Sequence, residues 1–144
     1  MAAGNVILYN HGVNAIMRGD IDLQSTTLVC AFVSAGYTPS QASHSSWSAQ
    51  ISAYELTVSG YAGKIVASAV VSIPDSSHVR FDAADTTLSA SSLMTAKYAI
   101  LRAQTSGVPL CYVDLDTGSA SGIDATQITM QWNALGLFQA NQAL

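Results

Sequence analysis

Two hydrophobic periods divide the chain. Near the start, Val6, Tyr9, Val13, Ile16 and Met17 recur at three- and four-residue spacing, which predicts a helix over about residues 5–18 with these side chains on one face. Asn5 is placed to cap its start, and Gly19 suits the left-handed position just past its end. Gly12 lies inside, where glycine costs about 1 kcal/mol relative to alanine. From Thr27 onward the period is two. Leu28 to Val33 is apolar on both faces, as in a strand within a core. Tyr54, Leu56 and Val58 alternate with Glu55 and Thr57, and Ile65, Ala67, Ala69, Val71 and Ile73 form one face of a longer strand. Val79 and Phe81 alternate with Arg80 and Asp82. Ala96, Tyr98 and Ile100 share a face, with Lys97 on the other. Leu110 to Leu115 is a further short strand, and Ile128, Met130 and Trp132 alternate with Gln127, Thr129 and Gln131.

Gly36, Pro39, Ser59-Gly60, Pro74-Asp75, Ser106-Gly107, Gly118 and Gly122 punctuate these runs as turns. Short strands between such signals, with no helical crossovers, predict a mainly β fold. The expected form is an antiparallel β-sandwich, jelly-roll-like, with one N-terminal helix, in a single domain over residues 1–144. Phe32, Leu56, Val71, Phe81, Ile100, Ile128 and Trp132 are its expected core. Residues 36–53 form a Ser-rich loop carrying Pro39, His44 and Trp47, and loops of that length are uncommon unless they serve a purpose.

Composition narrows the function classes. Of 144 residues, 49% are hydrophobic and only 10% charged, a balance that excludes a disordered chain. Five Lys and Arg against nine Asp and Glu leave a net charge of −4, which argues against a nucleic-acid partner. The polar surface must come from Ser, Thr, Asn and Gln, which suits packing against neighbours. No run approaches the ~18 apolar residues that span a bilayer, and no signal peptide is visible, so no membrane partner is expected and maturation in a cytosol is. There Cys30 and Cys111 are expected as buried free thiols, and a bridge between them requires that their strands be neighbours.

Candidate chemistry is sparse. His11, His44 and His78 lie in distant segments without metal-pair spacing, and no Cys-x-x-Cys is present. Asp20 and Asp22, Asp82 and Asp85, and Asp114, Asp116 and Asp124 are the carboxylate groups that could serve glycoside hydrolysis or calcium. All fall at predicted turns, where Asp hydrogen-bonds its own backbone two residues on, and that reading outweighs the catalytic one. Neither a Gly-x-Ser-x-Gly elbow nor a phosphate loop occurs. No enzyme, catalytic residue, metal or cofactor is expected.

In order along the chain, several blocks resemble a family of small virion structural proteins of tailed bacteriophages. They are Asn5 to Asn10, Gly19 to Leu23, Ala35-Gly36-Tyr37-Thr38-Pro39-Ser40 followed by His44, Phe81 to Asp85, Thr95 to Ile100, and Ile128 to Phe138. The pattern departs over Val58 to Lys64, where the family's longer turn is reduced to Ser59-Gly60-Tyr61-Ala62-Gly63, and it does not cover Gln139 to Leu144.

The resemblance implies a non-enzymatic virion component, a decoration or cement protein on the outer capsid surface, made in the host bacterial cytoplasm. Its expected partners are the major capsid protein, other virion proteins and further copies of itself as oligomer or lattice neighbours. The alternative is a head-fibre or tail-associated module that recognises host-surface glycans, with exposed aromatics such as Trp47 or Tyr61 stacking on sugar. Tyr37, Pro39, Trp47 and Tyr61, in the 36–53 loop and the 59–63 turn, are the candidate partner-binding residues, because loops carry binding surfaces more often than strands. The competing assignment for Trp47 is an anchor tucked into the core.

Overall fold

The computed structural model describes residues 2–132 and 136–141. Residues 133–135, inside the last block of the resemblance, lie outside that description, as do 142–144. The described chain is mainly antiparallel β with one N-terminal helix. In chain order the elements are β1 (Ile7–Leu8), α1 (Asn10–Met17), β2 (Leu28–Val33), two short helical turns (Trp47–Ile51 and Ser52–Tyr54), β3 (Lys64–Ile65), β4 (Val70–Asp75), β5 (His78–Asp82), β6 (Thr86–Ala96), β7 (Tyr98–Ala103), β8 (Pro109–Asp114), β9 (Ile123–Met130) and β10 (Phe138–Asn141). They form a five-stranded sheet ordered β1-β8-β7-β2-β3, a three-stranded sheet β10-β5-β4 and a two-stranded sheet β6-β9.

β2, inside the five-stranded sheet, is buried on both faces, which explains its unbroken apolar run. Leu28, Cys30 and Phe32 point to one side, into a core shared with Phe81 of the three-stranded sheet and Leu88, Met94, Ile128 and Met130 of the two-stranded sheet. Ala31 and Val33 point to the other side, where they meet Ile100, Tyr9, Tyr37, Trp47 and Ile51. Of the expected core, Phe32, Phe81, Ile100 and Ile128 are buried, while Leu56, Val71 and Trp132 are half-buried against it. Trp132 is fixed there by its indole N–H, which donates to the Ala84 carbonyl at 3.0 Å.

The helix is shorter than its periodicity predicts. Ile7 and Leu8 pair with Tyr112 and Cys111 of β8, and the Tyr9 amide donates to the Leu110 carbonyl. Those backbone groups are therefore satisfied by a sheet edge. Asn5 lies well before the start and caps nothing; the N-cap position belongs to Tyr9, without a side-chain cap. The far end matches expectation: Gly19, at φ +79°, donates to the Ile16 carbonyl while Asp20 donates to that of Ala15, a Schellman stop.

The buried face of α1 also differs. Gly12 and Ala15 are buried, whereas Met17 is 82% exposed. Small residues are required because the helix lies against the start of β8: a Cβ on Gly12 would sit 2.5 Å from the Pro109 carbonyl oxygen and 2.8 Å from Leu110 Cα. Backbone cannot yield as a flexible side chain would. Propensity alone predicts that Gly12→Ala stabilises by about 1 kcal/mol; the packing reverses the sign. The expected result in urea unfolding is a loss of about 1–3 kcal/mol, the range for overpacking. A gain would show that the helix stands further from β8.

Three expected strands are revised. Leu56 and its neighbours contribute a single bridge, Val33 to Glu55, and Tyr54 closes a helical turn. The run from Ile65 to Ile73 is split between β3 and β4, in different sheets, leaving Ile65 and Ile73 exposed. Ala96 ends β6 and faces the main core, while Tyr98 and Ile100 belong to the opposite face of β7, because the chain changes sheets at Lys97. Lys97 is itself buried.

Cys30 and Cys111 both flank Leu101, from β2 on one side and β8 on the other. Two strand spacings of about 4.8 Å put them well beyond the ~7 Å limit for a disulfide. They are buried free thiols, and burial pushes each up to about 12.

Candidate functional site

Three of the seven expected turn aspartates bond their own backbone two residues on, whereas Asp124 lies within β9. Asp22 accepts from the Gln24 amide, Asp114 from that of Asp116, and Asp116 from that of Gly118, each two residues on. The Gln24 amide and the Ser25 hydroxyl hold Asp22, and the Ala2 and Gly118 amides hold Asp116, below the usual carboxylate range. Asp82 accepts from the Ala83 amide, Asp85 from that of Trp132 and Asp124 from the Thr95 hydroxyl. Asp20 pairs with Arg18 on the surface. Asp75 repeats the turn pattern with Ser77 and also binds His78; the Ser77 amide is the main cause that lowers it to about 2. Among the described residues, no three His, Cys, Asp or Glu side chains gather as a metal site would need. No helix among them is long and apolar enough to cross a membrane.

The 36–53 loop is a fitted cover over the outer face of the five-stranded sheet. The Ser40 amide donates to His44 Nδ1, so that nitrogen accepts from the Tyr37 hydroxyl at 2.6 Å, and the Tyr9 hydroxyl donates to that of Tyr37 at 2.7 Å. Burial raises both phenols above their ordinary range, and donation to Tyr37 raises Tyr9 further. Trp47 lies under the Arg102 guanidinium, 4.6 Å from the ring centre, and its amide donates to the Gly107 carbonyl. Gln50 ties the loop to itself, accepting from the Ser45 and Ser46 amides.

The four candidate contact residues differ in exposure. Tyr37 is 2% exposed and Trp47 7%, so both side chains anchor the loop. Tyr61 is half-buried near Phe32, and its hydroxyl accepts from the Phe32 amide at 2.6 Å. It satisfies a β2 donor beyond the two-residue β3, whose register pairs only Val29 and Cys30. Pro39 borders a groove. The anchor assignment holds for Trp47, because the apolar outer face of β2 and β7 draws the loop aromatics inward.

Two surface depressions stand out instead. One, about 440 Å³, is apolar: Ile16 and Gly19 of the helix end and Ile21 and Leu23 after it face Val71, Val79, Phe81 and Ala140 of the three-stranded sheet. Its bounding elements also expose Met17, Ile73 and Val70, and Val79 is 43% exposed. The other, about 540 Å³, lies between the N-terminal arm and the 36–53 loop, lined by Asn5 and Ile7, by Thr38 and Pro39, and by Tyr98, Tyr112 and Asp114.

No family model, curated protein or solved structure matches this chain.

Of the candidate functional residues singled out from the sequence, Asp22 borders the first depression, and Pro39 and Asp114 border the second. The apolar groove draws on the helix end, the following loop and three strands, so it has no local signature. The second juxtaposes β7 and β8 residues whose neighbourhood appears only once the register pairs Tyr98 with Asp114 and Ile100 with Tyr112.

Proposed function

We propose that this chain is a non-enzymatic virion structural protein, a decoration or cement protein that binds the outer capsid of a tailed phage and bridges its coat subunits. The ordered blocks of resemblance supply the class. The observation that carries the reading is the apolar groove beside Val79, with exposed Met17, Val70 and Ile73 on the elements around it. Apolar surface of this kind marks interaction sites. With 10% charged residues, few ion pairs are available to hold the protein on a lattice. Many weak apolar contacts repeated over a shell suffice for retention through multivalency.

The test is add-back of stripped protein to empty shells across a salt series. Parent protein is expected to rebind almost equally from low to about 0.5 M salt, because screening acts on charge pairs and not on buried apolar area. Val79→Asp, at an already exposed position, is expected to reduce rebinding at least tenfold. Release of the parent by moderate salt, or full rebinding of Val79→Asp, overturns the assignment. Shortening the 36–53 loop is a poor test, since it would uncover Ala31, Val33 and Ile100. Substitution of exposed Gln41 or Ser43 examines the loop surface without unsealing that face.

A further inference from the structure

The outer face of the five-stranded sheet is sealed by Tyr9, Tyr37, Trp47 and Ile51 over most of its extent and left open at one end. There Tyr98 of β7 and Tyr112 of β8 lie side by side, ring centres 6.1 Å apart and planes at 84°. Tyr9, Tyr37 and Tyr61 each spend their hydroxyl on a protein partner. Those of Tyr98 and Tyr112 have none among the described residues, and neither does the exposed Asn5 amide on the bank of the same groove. Asp114 closes one end, with Oδ1 fixed by Lys97 Nζ and the Asp116 amide. That leaves Oδ2 as an acceptor held in place.

The ligand chemistry follows from this set. Half-buried phenol rings offer apolar surface with a polar tip. A carboxylate oxygen accepts, and an amide both donates and accepts. Together they match a molecule with an apolar C–H face and a rim of hydroxyls. Anionic ligands fit poorly: no Lys or Arg lines the groove. The nearby Lys97 commits its ammonium to Asp114 and to the Asp116 and Ser119 carbonyls. The volume lies within the ~300–1,000 Å³ usual for small-ligand sites. We propose that this groove binds neutral carbohydrate, with a pyranose ring flat on one of the two perpendicular phenols of Tyr98 and Tyr112, against the edge of the other, and its hydroxyls bonded to Asp114 and Asn5. This site is separate from the apolar groove assigned to the coat lattice, so either assignment can fail alone.

The test uses the intact chain on an array of neutral and acidic oligosaccharides, followed by calorimetric titration with the best neutral one. Binding to neutral glycans built of glucose, galactose, mannose or N-acetylglucosamine is expected, without preference for sialylated or sulfated forms. Tyr112→Ala is expected to weaken binding at least tenfold. Because Tyr112 also packs on Tyr9, two surface variants accompany it. Asn5→Ala should weaken binding several-fold, and Thr38→Arg, at an exposed bank position, should block it with the fold unchanged by circular dichroism. A blank array, binding confined to acidic glycans, or neutral binding indifferent to both surface variants overturns the proposal. Shell rebinding by Thr38→Arg is expected to equal that of the parent.

Discussion

Lys97→Met is expected to destabilise the protein by about 3 kcal/mol, the lower end of the ~3–5 kcal/mol that follows removal of one partner from a buried ion pair. Lys97 sits where the chain passes from β6 to β7. Its ammonium donates to Asp114 Oδ1 at 2.7 Å and to the Asp116 and Ser119 carbonyls, each at 2.8 Å. All three N–H groups are therefore used. The side chain is 9% exposed, whereas that of Asp114 is 26% exposed. Water can partly rehydrate the orphaned carboxylate, which is why the lower figure applies. The 114–122 turn also holds the N-terminal arm: the Gly4 amide donates to the Asp114 carbonyl, and the Thr117 amide to that of Ala2. Loss of the ammonium should thus loosen the turn and the arm together. Urea unfolding measures the total, and hydrogen exchange at Gly4 and Thr117 reports the arm. A double-mutant cycle with Asp114→Asn isolates the pair, with a coupling of at least 1 kcal/mol expected. A total loss below 1 kcal/mol would mean that the ammonium is hydrated and the pair contributes little.

Phe81→Ala is expected to be the more damaging, at about 3–5 kcal/mol, the range for deletion of a large core aromatic. Phe81 is 2% exposed and pairs with Val71 and Phe138 across the three-stranded sheet, and its carbonyl accepts from the Leu137 amide. Phe81 also lines the apolar groove. Truncation would join that groove to the core shared with Leu88, Met94 and Ile128, and a space open to solvent cannot close by local collapse. Phe81→Leu, which keeps most of the apolar volume, should recover more than half of the loss. A drop below 1 kcal/mol for Phe81→Ala in chemical denaturation would place the ring outside the core.

Much of the fold was legible because it depends on local periodicity. The apolar run Leu28–Val33 reads as a strand buried on both faces, and it is one. Phe81, Ile128 and Met130 alternate with polar neighbours and are buried. Gly19 stops the helix because a left-handed residue is needed there, and Asp22, Asp114 and Asp116 bond to their own backbone. Each of these is settled within a few residues, by side-chain direction and turn chemistry.

The rest required the chain to be folded. The longest strand, β6, reads Thr-Thr-Leu-Ser-Ala-Ser-Ser-Leu-Met-Thr-Ala, with few residues that favour strands; it exists because β9 pairs with it around an irregularity between Ser89 and Met94. Residues before Asn10 share the helical period, but β8 offers them a partner edge. Lys97 carries a charge that reads as solvent-exposed until three oxygens from one turn converge on it. Tyr37 and Trp47, placed in a loop, turn inward because the sheet beneath has an apolar outer face to cover. Neither groove exists along the sequence, since each joins segments that only strand register brings together. Periodicity records which side chains avoid water; which elements they meet when they do so is a property of long-range pairing.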